Sequence, residues 1–184
     1  MSGPVGDNVA RASGVIASAG GGTILKVKSL EVTASGSNTG TTPTQLSQFD
    51  MSFAPTTSDG KLLFQACMTF GCSSDSPGGC YFYDVTNTAI VGPIGDTAGS
   101  RQRLSWSGQS LMSSSYLAMF GVYAWHEPGS TDSRDYTIFG NTSSSTTMYI
   151  NRTGVDANNA YMYSGRGAST FTITEYAADT VTLT

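Results

Sequence analysis

A single histidine, His126, limits the acid–base chemistry open to this chain. Any Ser–His–acid relay would have to run through Tyr123-Ala124-Trp125-His126-Glu127, the end of an apolar run. An imidazole there reads more simply as a strand-end residue at a surface or interface. The sequence carries no GxSxG elbow, no phosphate-binding GxxxxGK[ST] loop and no HExxH pair. Glycoside hydrolysis asks for two carboxyl groups facing each other at about 5–10 Å. The acids Asp75, Asp84, Asp96, Glu127, Asp132, Asp135, Asp156 and Glu175 are instead spread along the chain without grouping. A non-enzymatic role is expected, with a small polysaccharide hydrolase as the least favoured reading.

Metal chemistry fares no better. The three cysteines, Cys67, Cys72 and Cys80, contain no CxxC pair, and the lone histidine is far from them in sequence. An odd count leaves at least one thiol unpaired, and the opening Met1-Ser2-Gly3-Pro4 lacks the basic-then-apolar pattern of a secretory signal. Free thiols in a reducing compartment are therefore expected, with a Cys72–Cys80 clip across the Gly-rich loop as the alternative. Asp132-Ser133-Arg134-Asp135 and Asp156-Ala157-Asn158-Asn159 offer hard oxygens in loops, but neither has the ligand count or glycine register of a calcium loop. They read as solvated turns, and no metal or cofactor is expected.

Aromatic side chains are the remaining route to a function. Tyr81, Phe82 and Tyr83 are consecutive, so on a strand they must face alternate sides. Phe82, Trp106 and Tyr123 are expected in the core. Tyr161 and Tyr163, beside Arg166 in a Gly-flanked loop, are the candidate surface-binding residues, since rings with polar tips suit both sugars and protein interfaces. The sequons at Asn141 and Asn151 read as coincidence.

The elements that must carry these residues follow from composition and period. Only 12% of residues are charged, Gly accounts for 22 positions, and hydrophobic residues still make up 39%. That balance is too apolar for disorder and too rich in small turn formers for helices. Nine basic residues against thirteen acidic ones, with no basic run, offer nothing to release counterions from a nucleic acid. No apolar stretch approaches the roughly 18 residues of a membrane span. Residues 1–22 stand apart as an N-terminal docking arm, in which Asp7, Asn8, Arg11, Val15 and Ile16 give a partner something to bury, ending in a Gly/Ala/Ser hinge; a frayed terminus is the bland alternative.

Residues 23–184 then read as one all-β domain. Alternation places strands at 23–33, 44–53, 61–70, 80–85, 89–94, 100–107, 116–127, 134–139, 146–151, 160–163 and 169–176, with turn clusters between them and only a weak helical window at 109–116. In 61–70, Leu62, Phe64, Ala66, Met68 and Phe70 share one face, while Leu63, Gln65, Cys67 and Thr69 suggest a second covered surface. Many short strands at even spacing predict a single jelly-roll-like β-sandwich. Few charges guard its edges, so an oligomer is expected.

Four stretches carry a resemblance: residues 6–16 (GDNVARASGVI), 39–64 (TGTTPTQLSQFDMSFAPTTSDGKLLF), 81–96 (YFYDVTNTAIVGPIGD) and 169–176 (STFTITEY). In order and spacing they resemble virion structural proteins of tailed bacteriophages. The Gly- and Cys-rich loop from Cys72 to Cys80 departs from that pattern. The resemblance implies a tail-fibre, baseplate-appendage or capsid-decoration component, commonly trimeric, that is made in the host cytoplasm and resides in the virion. Its implied partners are copies of itself, other virion proteins reached through residues 1–22, and a host-surface glycan. A lectin-like or receptor-binding module at a fibre tip is the alternative.

Overall fold

The computed structural model describes residues 23–74, 77–97, 99–108, 114–142, 146–158, 160 and 164–182. Twelve strands follow in chain order: β1 (Ile24–Val32), β2 (Gly36–Thr39), β3 (Thr44–Gln45), β4 (Met51–Phe53), β5 (Lys61–Cys72), β6 (Gly78–Asp84), β7 (Ala89–Val91), β8 (Trp106–Gly108), β9 (Ala118–His126), β10 (Arg134–Thr142), β11 (Thr147–Ile150) and β12 (Ser169–Tyr176). Among the described residues no helix is long and apolar enough to cross a membrane.

The strands form two antiparallel sheets. In sheet A, β5 pairs with β9 along one edge; along the other it pairs first with β12, which carries β1, and then with β11, which carries β2. In sheet B, β10 and β6 are central, flanked by β3 and β4 on one side and β7 and β8 on the other. Counting β3/β4 and β7/β8 as one run each and setting aside β2 and β11, eight runs remain. The first pairs with the eighth, the second with the seventh, the third with the sixth and the fourth with the fifth. One long hairpin rolled up on itself gives this pairing, so the sandwich is a jelly roll.

Period-two alternation explains the core. Leu62, Phe64, Ala66, Met68 and Phe70 of β5 and Phe171 and Ile173 of β12 face Phe82, Tyr136 and Ile138 of sheet B, all of them buried. Phe64 lies at the centre, with ring centroids 4.9 Å from Tyr136, 5.6 Å from Phe82 and 6.0 Å from Phe171. Lys26 and Lys28 also sit on the inward side of β1. Their ammonium groups reach over the edge of sheet B to the carbonyls of Ala54 (2.6 Å) and Ser52 (2.7 Å). Inward lysines guard that edge against further pairing.

Where β5 exchanges β12 for β11, a buried polar knot holds the fork. Asn151 adopts a left-handed conformation (φ 56°), which asparagine tolerates better than most residues. Its Nδ2 donates to the carbonyls of Val32 (2.7 Å) and Ala34 (3.1 Å), and its Oδ1 accepts from the Ser169 hydroxyl. That hydroxyl oxygen in turn accepts from the Thr69 N–H. Asn151 is therefore a structural residue whose amide is fully occupied.

Several expectations need correction. The 44–53 segment is two short strands separated by a 3-10 turn at Ser47–Phe49. Leu46 and Phe49, three residues apart, both enter the core, which alternation by two cannot achieve. Of the run expected at 100–107, the pairing with β6 takes in only Trp106–Gly108. Strand β2 was not anticipated, because Gly-Ser-Asn-Thr has no apolar alternation and is held by pairing to β11. The strand expected at 160–163 and most of the helical window at 109–116 lie outside the described residues, as does the arm of residues 1–22.

Candidate functional site

Of the acids singled out, Asp84, Glu127, Asp135, Asp156 and Glu175 are engaged structurally, Asp96 and Asp132 are exposed, and Asp75 lies outside the described residues. Glu175 is wholly buried on the inner face of β12. Both of its oxygens accept from the Thr56 N–H (2.7 and 2.8 Å) and one accepts from the Thr57 N–H (3.0 Å), which ties down the loop between β4 and β5. Asp84 is buried beside the Arg134 guanidinium (3.3 Å) and accepts from the backbone and side-chain amides of Asn87. Asp135 takes the Ser52 hydroxyl (2.6 Å), and Glu127 pairs with Lys61 (3.2 Å). Among the described residues no three His, Cys, Asp or Glu side chains gather as a metal site would require.

His126 is not the surface residue its sequence context suggests. Its ring turns inward at the end of β9 and stands edge-on to Phe64 (6.0 Å) and Tyr136 (5.9 Å). Its Nε2 and the Tyr136 hydroxyl are both buried without a partner among the described residues. Burial holds the imidazole below its ordinary pKa; Asp84 and Glu127 oppose that shift, and Arg134 adds to it. Burial likewise pushes the Tyr136 hydroxyl up to about 12. A lowered histidine pKa means that the unfolded chain takes the proton first. The stabilisation is therefore complete above about pH 6.5 and is lost as pH falls through the lower folded value. Calorimetry should show the melting temperature falling between pH 7.5 and 5.5, with the fall largely removed in His126→Phe. An equal fall in that variant would refute the assignment.

Among the described residues, the outer face of sheet A is a broad surface left bare. Registered pairing puts Val27, Ser29 and Glu31 of β1, Thr170 and Thr172 of β12, Gln65 and Cys67 of β5, and Met119, Gly121 and Tyr123 of β9 side by side. Val27 is 56% exposed, Met119 68% and Tyr123 71%. Tyr123 is thus the opposite of the core residue expected. The covered second surface expected on β5 is only partial: Leu63 and Thr69 at its two ends are sheltered, while Gln65 and Cys67 are open. A shallow depression of about 480 Å3 crosses this face over Gly121, rimmed by Gln65, Tyr123, Thr170 and Thr172. Glu31 is the one charge in the register set above. Among the described residues nothing pairs with the far edge of β9.

Of the residues singled out for surface binding, Tyr161 and Tyr163 lie outside the described residues, as do Asp7, Asn8, Arg11, Val15 and Ile16 of the arm. Arg166 is exposed but committed: it meets the Asp156 carboxylate at 2.6 Å, and Arg152, stacked 3.8 Å over the Tyr149 ring, approaches the same carboxylate at 3.6 Å. Two guanidinium groups thus meet the one carboxylate of the 156–159 turn. The three cysteines are free thiols, Cys67 exposed and the other two buried. Asn141 and Asn151 are both buried, so neither sequon presents its amide to solvent. Phe82 is in the core as expected, and Trp106 lies half-buried against Phe120.

No protein-family model matches the sequence. No curated protein matches it either. Among solved structures, the chain overlays the structure of infectious bursal disease virus Gx strain with a TM-score of 0.42 and 9% identity, over 82% of this chain and 40% of that one. It overlays a mutant VP2 protein of infectious bursal disease virus, from derived T=1 particles, with a TM-score of 0.43 and 11% identity, over 82% of this chain and 39% of that one. The chain thus spans about 40% of the length of these structures.

Proposed function

We propose that this chain is a virion structural protein that assembles with copies of itself through the outer face of sheet A. The observation that carries the reading is that face: nearly uncharged and studded with the exposed side chains of Val27, Met119 and Tyr123. A surface with a single carboxylate can meet a second copy without serious repulsion, and the chain's net charge is only -4. The resemblance of four stretches to tailed-bacteriophage proteins supports reading the particle as a tailed phage and the assembly as a homotrimeric fibre or decoration. Residues 1–22 would anchor it to other virion proteins.

Magnitudes favour several contacts per subunit over one. Four strands about 4.8 Å apart and about seven residues long present roughly 450 Å2 in plan. With about half of that apolar, two opposed faces gain about 11 kcal/mol at ~25 cal/mol per Å2. That is comparable to the association entropy of roughly 4–15 kcal/mol, so a lone contact is marginal. A closed ring adds a second contact per subunit, which requires the β1 side of the face on one subunit to meet the β9 side of the next.

Cys67 reports on this directly, because it lies in the middle of the face. At 100 µM protein, its labelling by a maleimide should slow at least tenfold relative to the chain diluted below its dissociation constant. Cys72 and Cys80 should label only on unfolding; burial pushes the Cys80 thiol up to about 12 as well. Equal Cys67 labelling in the assembled and dispersed protein would show that the face is not the one covered.

A further inference from the structure

We infer that the outer face of sheet B is a binding site for a neutral oligosaccharide, separate from the assembly face. Three rings stand together there: Tyr81 and Tyr83 of β6 and Phe139 of β10, with centroids 4.3 Å apart for Tyr83–Phe139, 5.8 Å for Tyr81–Phe139 and 6.2 Å for Tyr81–Tyr83. Tyr81 and Phe139 are directly paired across the ladder and nearly parallel, with an interplanar angle of 15°. The inner-face neighbours Phe82 and Ile138 are fully buried, so the three half-buried rings belong to the opposite, water-facing side. Cross-strand pairing of the rings adds about 0.2–1 kcal/mol per pair to the sheet, and their outward faces remain partly open to solvent.

The next row of the same face supplies the polar half. Gly79 and Asn141 are paired two residues along from Tyr81 and Phe139, roughly 7 Å away at the strand rise. Over them opens a depression of about 220 Å3, floored by Gly79 and the Leu104 side chain packed against it and rimmed by Thr41, Gln102, Ser107, Asn141 and Thr142. Every hydrogen-bonding side chain in that lining is uncharged. Asn141 Nδ2 donates to Gln102 and to the Thr41 carbonyl, leaving Asn141 Oδ1 buried and without a partner among the described residues. An orphaned acceptor of this kind gains from any donor brought to it.

An aromatic platform running into an uncharged, amide- and hydroxyl-rimmed hollow matches a ligand with apolar C–H faces and a periphery of neutral hydroxyls. The hollow is smaller than the roughly 300–1,000 Å3 of a drug-sized pocket. It suits one terminal ring, with the following sugars laid over Tyr81, Tyr83 and Phe139. The exposed tyrosine of sheet A is on the other side of the sandwich, so glycan contact and self-assembly do not compete.

The test uses the full chain on two immobilised panels: neutral gluco-, galacto- and manno-oligosaccharides, and oligosaccharides bearing uronic or sialic acids. We expect retention on members of the neutral panel, weakened at least tenfold in Tyr81→Ala and in Gln102→Leu and unchanged in Asp132→Ser, an exposed loop position outside both faces. Gln102 is exposed, so its variant carries the test if Tyr81→Ala does not fold. Three results overturn the proposal: no retention on any neutral member, retention confined to the acidic panel, or wild-type retention by both site variants. Oligomer mass, read on the same samples, separates this outcome from that of the assembly reading.

Discussion

Replacing Glu175 by alanine is expected to lower stability by about 3–4 kcal/mol. The carboxylate is wholly buried, and its three hydrogen bonds from the Thr56 and Thr57 N–H groups hold the loop that leads into β5. Bonds to a charged acceptor contribute about 1.5–3 kcal/mol each, less what water recovers at the partly exposed loop. Removing the side chain also leaves a void beside Gly60, where an added Cβ would come within 2.8 Å of the carboxylate oxygen. For a chain of this size about 3 kcal/mol corresponds to a fall in melting temperature of roughly 6–12 °C. Glu175→Gln should be nearly as damaging, since its NH2 group would oppose backbone donors. A melting temperature within 2 °C of wild type in both variants would show that the loop does not depend on this anchor.

The second large effect concerns assembly. Met119→Lys and Tyr123→Lys place a cation on the β9 side of the bare face, at positions 68% and 71% exposed. Neither side chain is packed in the subunit, so the melting temperature of the dispersed chain should move by no more than about 2 °C. In the assembly each variant sets desolvated charge against an apolar neighbour, at a cost of about 3 kcal/mol or more per contact. The dissociation constant should therefore rise by at least about 100-fold, as read by sedimentation equilibrium. Asp96→Lys, at an exposed position in the segment that follows β7, is a control with twice the charge change and should leave the mass distribution unaltered.

The sequence conveyed the fold well where side chains alternate without interruption. Leu62, Phe64, Ala66, Met68 and Phe70 read as one face and lie on one face, and the 169–176 run gives Phe171, Ile173 and Glu175 on the inner side as its period demands. It failed where neighbours rather than period decide. Gly36–Thr39 is a strand only because β11 offers it a ladder. His126 and Tyr123 lie three residues apart on one strand, so alternation had to put one inside and one outside. Which was which depended on the register with β5: Tyr123 falls opposite Gln65 on the open side, and His126 opposite Leu62 on the buried one. The site on sheet B was half legible: Tyr81, Phe82 and Tyr83 in a row require two rings on one face, but Phe139 joins them only through pairing fifty-odd residues later in the chain.

Self-association through sheet A is the claim on which the rest depends. Sedimentation velocity of the full chain at about 10 µM, with Tyr123→Lys alongside, tests it most directly. The account predicts that the wild-type chain sediments as three copies of the 19.2 kDa polypeptide and that the variant sediments as one. A wild-type chain that sediments as a single copy, or a variant that assembles as well as wild type, would contradict it.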